Sequence, residues 1–239
     1  MEILGSGIGW ILDSAHWSGS DGIPTRMVEH IALAGAALLV AVLIAVPIGL
    51  YTGHTRRWGT AVMNVASIGR AVPSYALLLV FFTWTGALGA PTTLPTLVLL
   101  AIPPLLASVH VAISEVDRDI VEAARGMGMR ESQVLRRVEL PIGMPLILVG
   151  SRTAAVQVVA TATLGALVAG GGLGRYIVDG FALRGPEGTA RLVAGAILVG
   201  LLAVVTERTF TTIERWTSTP GVSAASIPLE TAPRAGFGM

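Results

Sequence analysis

Apolar stretches of membrane-spanning length alternate with short polar stretches along the chain. Residues 30–51, 71–114 and 144–168 hold a single charged side chain among them, Arg152, and the second run is interrupted near its middle by GALGAPTTLP. A transmembrane helix needs about 20 apolar residues to cross the hydrocarbon core. Because the second run is long enough for two helices, the three runs predict four spans, two of them joined by the interrupting loop.

A fifth span is predicted at 192–206. Only 15 charge-free residues stand there, so the side chains of Arg191 and Glu207 would have to extend toward the two membrane surfaces. The mean hydropathy of +0.73 is typical of integral membrane proteins. The pattern therefore predicts an all-α integral membrane protein with about five transmembrane helices, and it leaves a sixth span open.

The two ends of the chain differ from its middle. Residues 1–28 begin with an acid, and their apolar part is short and glycine-rich, which favours an external segment with an interfacial helix over a cleavable signal peptide. Residues 215–239 mix Pro, Ser, Ala and Gly without periodicity, which predicts a disordered tail. The transmembrane domain is expected to occupy 29–214.

Missing residue types exclude several functions. The sequence has no Cys, and all 16 of its basic residues are Arg. Without cysteine there is no disulfide and no thiolate site. Without lysine there is no Walker A loop, so any ATP must bind to another chain. The four histidines show no metal-ligand spacing, so neither a metal nor a cofactor is expected, and the net charge of +1 argues against a nucleic-acid partner.

An intramembrane enzyme is not favoured either. Ser108 and His110 stand two residues apart, which points their side chains in different directions on a helix, and no acid is placed to orient the imidazole. A passive channel or a membrane scaffold stays open as the alternative to a transporter subunit.

A third of the charge lies within residues 115–141, hereafter the charged segment. It holds 11 of the 31 Asp, Glu and Arg residues. Asp117 or Asp119 would cap a short helix through IVEAARGM, the glycines would end that helix, and a second short helix would start at Glu131 or the following serine. Pro141 would then mark a boundary before the next span. The pattern predicts a bent pair of short helices between two spans.

The charged segment also contains a spaced string: Glu-Ala-Ala, three residues, Gly, nine residues, a β-branched residue, one residue, Leu-Pro. The residues that meet it are Glu122, Ala123, Ala124, Gly128, Val138, Leu140 and Pro141. This string resembles the EAA loop of bacterial ABC importer permeases. IGRAVPSYALL at 68–78 and SRTAAVQVVATATLGALVAGGGLGRYIVDG at 151–180 extend the resemblance, over roughly 29–210, to the osmoprotectant branch, the permeases for glycine betaine, carnitine, choline and proline. Methionine-importer permeases, which share the five-helix layout, stay the close alternative.

The resemblance implies partners and a mechanism. In that family the EAA loop forms a coupling helix that docks into a cytoplasmic ATPase subunit. A permease of this kind works with two ATPase copies, a second permease chain that is identical or paralogous, and an external binding protein that selects the solute. The residues expected to couple to the ATPase are Glu122, Ala123, Ala124, Gly128, Leu140 and Pro141. The small residues among them would let the partner's surface approach the backbone closely.

Arginine is distributed unevenly over the predicted loops. The side that carries residues 56–57, the charged segment and the C-terminal tail holds 10 Arg outside the spans, whereas the side that carries the N-terminus holds four. The positive-inside rule therefore predicts a cytoplasmic charged segment, a cytoplasmic C-terminus and an external N-terminus.

The fourth predicted span carries polar and small residues on one face. Thr153, Gln157, Thr161 and Gly165 recur every four residues. This favours either a wall of the translocation pathway, with weak hydrogen bonds to a passing solute, or a helix-packing face, and both interpretations stay open. Arg70 is a further pathway candidate if it lies at membrane depth, although a position at the cytoplasmic interface is favoured.

Two breaks in the helical pattern are candidate gates or hinges. GGGLG follows the fourth span without a preceding strand, so it predicts a break near the external gate rather than a nucleotide-binding loop. Plain termination of the helix is the alternative. Pro73 would kink the second span or end an interfacial segment. The gate and hinge candidates are Gly170, Gly171, Gly172, Gly174 and Pro73.

Overall fold

The computed structural model of the protein describes residues 2–217. Ten α-helices are formed in this part of the chain, which contains no strand: α1 Glu2–Leu12, α2 Ile23–His54, α3 Gly59–Ala71, α4 Ser74–Thr85, α5 Ala90–Ser114, α6 Arg118–Gly126, α7 Glu131–Val134, α8 Leu140–Ala162, α9 Gly174–Leu183 and α10 Gly185–Thr217. A π turn, Leu135–Glu139, joins α7 to α8, and 3₁₀ turns lie at Ser14–Trp17 and Thr163–Val168.

Within residues 2–217, four helical stretches are long and apolar enough to cross a membrane by length and composition, and a bent pair of helices makes a fifth if it counts as one span. Four are single stretches: α2, α5, the helical stretch Glu131–Val168, and α10. The fifth is α3 together with α4, which are bent by 88° at the break between them. The predicted count of about five spans is confirmed by length and composition. α10 runs for 33 residues, so the short charge-free stretch at 192–206 is the middle of a longer helix.

The bend between α3 and α4 lies at Pro73. Proline restricts the residue before it to extended backbone, and Val72 accordingly has φ −72° and ψ 123°. The break expected at Pro73 is confirmed. α3 begins at Gly59, well before Arg70, which stands in its last turn.

Small residues hold the centre of the bundle together. Ala34, Ala37, Ala41 and Ala45 are buried and recur every three or four residues, so they form one stripe along α2. The stripe packs against side chains of α5 and α8, which include Leu97, Ala101, Leu105, Ala154, Val158 and Ala162. Alanine at these positions lets the helices approach closely, the packing that membrane helices favour.

The second helix of the charged segment continues into the fourth span. α7 passes through the π turn into α8 without a break, so the expected boundary at Pro141 is wrong, and so is the expected pair of short helices. Pro141 has no N–H to donate, and its ring conflicts with a carbonyl four residues earlier in a regular α-helix. The wider π turn lies just before it, with the Leu140 N–H donating to the Leu135 carbonyl, and the helix continues past the proline.

A charge within the fourth span has its partners on α10. Arg152 Nη1 lies 3.2 Å from the Thr211 hydroxyl and 3.6 Å from a Glu214 carboxylate oxygen. An arginine inside a span needs such partners. This contact ties α8 to the end of α10 that leads to the C-terminus.

The N-terminal segment packs on the bundle. α1 lies along α10, where a Cβ at Gly7 would stand 2.5 Å from Val193 Cγ1. The Tyr176 hydroxyl of α9 donates to the Asp21 carbonyl at 2.5 Å. Burial raises the pKa of this phenol to about 12, so it remains a donor at neutral pH.

Two expected boundaries shift. α2 begins at Ile23, with Pro24 in its first turn, so the first span starts before the expected residue 29. α10 stays helical to Thr217, which lies within the expected tail. The remainder of that predicted tail, 218–239, lies outside the described residues.

Candidate functional site

The charged segment folds around a small core of its own. Val116, Val121, Ala124 and Val134 are buried together, and Met129, Val138 and Ile142 pack against them. α6 begins as predicted: the Asp117 side chain accepts from the Asp119 N–H at 2.9 Å and caps the helix. The segment is therefore a folded surface rather than a loose connection.

One face of α6 and the turn after it are open. Glu122, Ala123 and Gly128 are exposed, and Met127 is 73% exposed. Ala124 is only 2% exposed, so its side chain is not part of the open face, and its part in coupling to the ATPase stays a prediction. It stands three residues after Val121, on the face of α6 that packs into the segment's core.

Glycine is favoured at position 128 by the backbone conformation and not by crowding from neighbouring atoms. Its φ is +84°, a conformation that L side chains rarely adopt, and no atom lies within 4 Å of where a Cβ would stand. This turn directs the chain away from the end of α6 and leaves open space beside it.

The last two coupling candidates are on the span side of the segment. Leu140 is half-buried and packs against the cluster that contains Val109 and Ile113 of α5. Pro141 is exposed. Leu140 therefore connects the charged segment to the transmembrane core, whereas Glu122, Ala123 and Gly128 face outward.

A polar cavity lies between α6 and the end of α2. Its volume is about 210 Å³, and it is lined by His54, Thr55, Arg56, Arg118, Val121, Glu122, Arg125 and Glu139. The hydrogen bonds that Arg125 donates to the Glu131 carboxylate raise the pKa of its guanidinium above the usual value, so this group stays charged. Sequence analysis missed the pairing of His54 with Glu139, because 85 residues separate them and no local pattern joins them.

Two of the pathway candidates line one groove. Arg70 at the end of α3 and Thr153 of α8 share a groove of about 320 Å³ with Ser108 and Gly150. The groove lies between α3, α5 and α8. A cationic side chain and two hydroxyl groups thus border the same open space.

Gln157 and Thr161 stand further along the same helix. Both are half-buried, and within residues 2–217 neither side chain makes a hydrogen bond. The Thr153 hydroxyl donates back to the Val149 carbonyl at 3.0 Å. Gly165, the fourth member of the face, is packed on Thr93, where a Cβ would lie 2.6 Å from Thr93 Cγ2. Gly165 at one end of this face packs against another helix, whereas the polar side chains of Gln157 and Thr161 in its middle make no hydrogen bond within residues 2–217.

The GGGLG turn at 170–174 is closely packed. A Cβ at Gly171 would stand 2.4 Å from Glu29 Oε2, and one at Gly174 would stand 2.4 Å from the Thr163 carbonyl oxygen. The Gly172 N–H donates to Glu29 at 2.8 Å. Gly170 is held by a hydrogen bond from its N–H to the Gly165 carbonyl. The structure gives these glycines a packing role, and their role as a gate stays a prediction.

The Ser108 and His110 side chains have separate partners. Ser108 Oγ donates to the Leu146 carbonyl at 3.1 Å, and His110 Nδ1 lies 3.1 Å from the Thr52 hydroxyl. In the part of the chain that the structure describes, no group of three or more His, Asp or Glu is placed to hold a metal ion.

Comparison with known proteins gives the family from the sequence. The family described as binding-protein-dependent transport system inner membrane component matches residues 45–219. The choline transport system permease protein OpuBB of Bacillus subtilis is 32% identical over 187 residues, which cover 78% of this chain and 84% of that protein. The osmoprotectant import permease protein OsmW of Salmonella typhimurium is 30% identical over 202 residues, 83% of this chain and 90% of that protein.

Solved structures show the same fold. A chain of the methionine ABC transporter MetNI in an inward-facing conformation matches with a TM-score of 0.70 at 22% identity, over 82% of this chain and 97% of that one. An amino acid ABC transporter crystallised with histidines matches with a TM-score of 0.61 at 16% identity, over 81% and 91% of the two chains. The protein described above therefore belongs to the family of binding-protein-dependent transport system inner membrane components, as a multi-pass permease of the cytoplasmic membrane.

Proposed function

We propose that this permease forms the membrane channel of an ATP-driven importer for osmoprotectants, and that its charged segment is where an ATPase docks. The observation that carries the proposal is the exposed face of α6, which presents Glu122, Ala123 and Gly128 of the EAA string beside the spans. A surface of small residues lets a partner approach closely, and Met127 offers it an apolar side chain.

The chain transmits motion and carries out no bond chemistry. Two ATPase subunits bind ATP and close, and the α6 helices of two permease chains, identical or paralogous, move with them. The spans then change from inward-facing to outward-facing and accept a solute from an external binding protein. Hydrolysis of ATP on the partner chains resets the spans. Leu140, packed on α5, joins the docking surface to the core that must move.

The groove beside α8 is the proposed solute pathway. Arg70 and Thr153 border it, and Gln157 and Thr161 continue the same helix with side chains that have no partner in residues 2–217. Polar groups at membrane depth need water, a solute or another subunit to bond with. Weak and replaceable hydrogen bonds of this kind suit passage rather than tight binding.

The breaks at Pro73 and at 170–174 are the proposed hinge and external gate. Pro73 separates two helices that meet at 88°, and the GGGLG turn closes on Glu29 at the start of the first span. With the charged segment in the cytoplasm, as the arginine distribution favours, this turn and the N-terminus lie outside. The residues before α2 then form the external segment, and the C-terminal tail is cytoplasmic.

The solute class follows from the named relatives. Relatives at 30% identity or more include proteins named for choline, carnitine and osmoprotectant import. The methionine transporter structures are similar in fold at 22% identity, which supports the architecture and not the solute. Glycine betaine, choline, carnitine and proline are therefore the solutes to test first, with methionine as the alternative.

The docking proposal is tested by purification of the tagged chain from its native membrane in mild detergent. We expect a P-loop ATPase to co-purify with the wild type and to be lost with the double variant Glu122→Lys, Gly128→Trp. The control is Glu2→Lys, Gly5→Trp, which makes the same changes on α1, where no atom lies within 4 Å of a Cβ at Gly5. That control should retain the ATPase.

The contrary result is equally clear. If no ATPase accompanies the wild type under conditions that preserve other membrane complexes, the ATP-driven mechanism is wrong, and a channel or scaffold takes its place. Uptake into proteoliposomes of the recovered complex, with radiolabelled glycine betaine, choline, carnitine, proline and methionine compared, then decides the solute class.

A further inference from the structure

The end of the first span is tied to the charged segment through one histidine. His54 is the last residue of α2, and each of its ring nitrogens faces a carboxylate. Nδ1 lies 2.5 Å from Glu139 Oε2, and Nε2 lies 3.1 Å from Glu131 Oε2. One imidazole therefore joins α2 to the start of α7 and to the π turn before α8.

The connection continues from Glu131 to α6. Arg125 Nε and Nη2 donate to the two carboxylate oxygens of Glu131 at 3.0 and 2.9 Å, a paired arrangement that fixes orientation as well as distance. Arg125 directly follows Ala124 in the EAA string. The order of contacts is thus α6, Arg125, Glu131, His54, Glu139, with His54 carried by α2.

Glu139 makes the connection obligatory. Its side chain is 1% exposed, and a carboxylate removed from water is tolerated only with a partner. His54 is that partner. The Glu131 and Glu139 carboxylates occupy both ring nitrogens, so the imidazole is held from two sides. The other charged groups that line this cavity are Arg56, in the loop after α2, and Arg118, Glu122 and Arg125 of α6.

We propose that His54, Glu131 and Glu139, with Arg125, form the link that makes α2 move with the docking helix α6. His54 is a positioning residue: it touches neither solute nor nucleotide and acts by holding α2 to the charged segment. α2 carries the alanine stripe that packs on α5 and α8, so a displacement of α6 reaches the centre of the bundle through this link. The inference rests on the proposed docking role of the charged segment.

Spin labels test the link directly, because the chain has no cysteine of its own. Labels at Arg57→Cys, beside the end of α2, and Asp119→Cys, at the start of α6, report the distance between the two elements in the complex with its ATPase. Labelled chains are diluted with unlabelled ones so that only distances within one chain count. We expect one narrow distance distribution in the wild-type background, unchanged between the nucleotide-free complex and the complex with ATP and vanadate.

Glu131→Gln is the main variant, because this carboxylate is exposed and its loss leaves no buried charge unpaired. We expect its distance distribution to broaden or to change with nucleotide, and solute import per ATP hydrolysed to fall by roughly two- to tenfold while ATP hydrolysis continues. His54→Gln, which keeps one donor toward Glu139, should show a smaller change in the same direction. Glu115→Gln makes the same chemical change at another exposed acid of the segment and should behave as the wild type.

Two results would overturn the link. One is a wild-type distance that changes with nucleotide, since α6 would then slide relative to α2. The other is a Glu131→Gln variant that matches the wild type in both measurements. Failure of the docking proposal would give a different result. No ATPase would accompany the wild-type chain, so there would be no complex in which to measure the distance.

Discussion

The glycine turns at the two ends of the bundle have opposite surroundings. At the end that carries the charged segment, Gly126 and Gly128 have no neighbour within 4 Å of where a side chain would begin. At the other end, Gly171 and Gly174 are enclosed by Glu29 and by the backbone of Thr163. The space beside the first turn is open to a partner, whereas the space around the second turn is occupied by other residues of the same chain.

Glycine is therefore present at the two turns for two different reasons. Glycine is needed at position 128 because the backbone there has φ +84°, and at position 174 because there is no room for a Cβ. Substitutions at the enclosed turn should therefore affect stability before function. At the open turn, a large added side chain should weaken partner binding. The loss of stability caused by the positive φ should be smaller and similar for every L residue placed there.

The largest expected effect is that of Gly174→Val. Its Cβ would lie 2.4 Å from the Thr163 carbonyl oxygen, and since that atom belongs to the backbone, the turn itself must shift. We expect a loss of about 3 kcal/mol or more, which is the upper part of the range for overpacking. Size-exclusion chromatography after a temperature series in detergent measures it. A Gly174→Val protein as stable as the wild type would show that the enclosed turn yields easily.

Gly128→Ala should have a smaller effect, about 1–2 kcal/mol, since an L residue in the left-handed region costs about that much and no clash is added. Asparagine tolerates this conformation better than alanine, so Gly128→Asn should recover part of the loss. The same thermal series compares the two. If alanine and asparagine behave alike, the positive φ is not what requires glycine at this turn.

Glu29→Gln tests the closure of the enclosed turn from the opposite side. Glu29 Oε2 accepts from the Gly172 N–H and from Arg26 Nη1, both at 2.8 Å. The amide keeps an acceptor for Gly172 but loses the ion pair with Arg26. Because the Glu29 side chain is partly exposed, we expect a loss of about 1 kcal/mol, with Glu29→Ala losing more. Hydrogen exchange of the 170–174 amides should rise more in Glu29→Ala than in Glu29→Gln, and equal exchange in both would remove the hydrogen bond from the explanation.

The spans and the cap of α6 could be predicted from the sequence because the patterns that indicate them are local. Apolar run length predicts spans, and Asp117 before a helical pattern predicts a cap. The continuation of α7 into α8 was not predictable in this way, since proline signals a break, and the π turn that permits the opposite depends on the surrounding packing. The inward direction of Ala124 could have been found from its spacing to Val121.

The contacts that join distant elements carry no local signal at all. His54 and Glu139 are 85 residues apart, and Glu29 and Gly172 are 143 apart. Each pair forms because packed helices bring together residues that the sequence separates. The two ends of the bundle therefore look alike in sequence, as glycine-rich turns, and differ only once their neighbours are known.

The smallest effect on stability is expected from Arg125→Gln, at the open end. The pair with Glu131 is solvent-exposed, with side chains 44% and 60% exposed, and exposed ion pairs contribute about 0–1 kcal/mol. Thermal stability should therefore change little. Import per ATP should still fall, though less than in Glu131→Gln, because Glu131 keeps its contact with His54. A variant that loses stability and import in equal proportion would show that the pair only holds the fold. Unchanged stability with reduced import would show that the open end uses its charges to transmit motion.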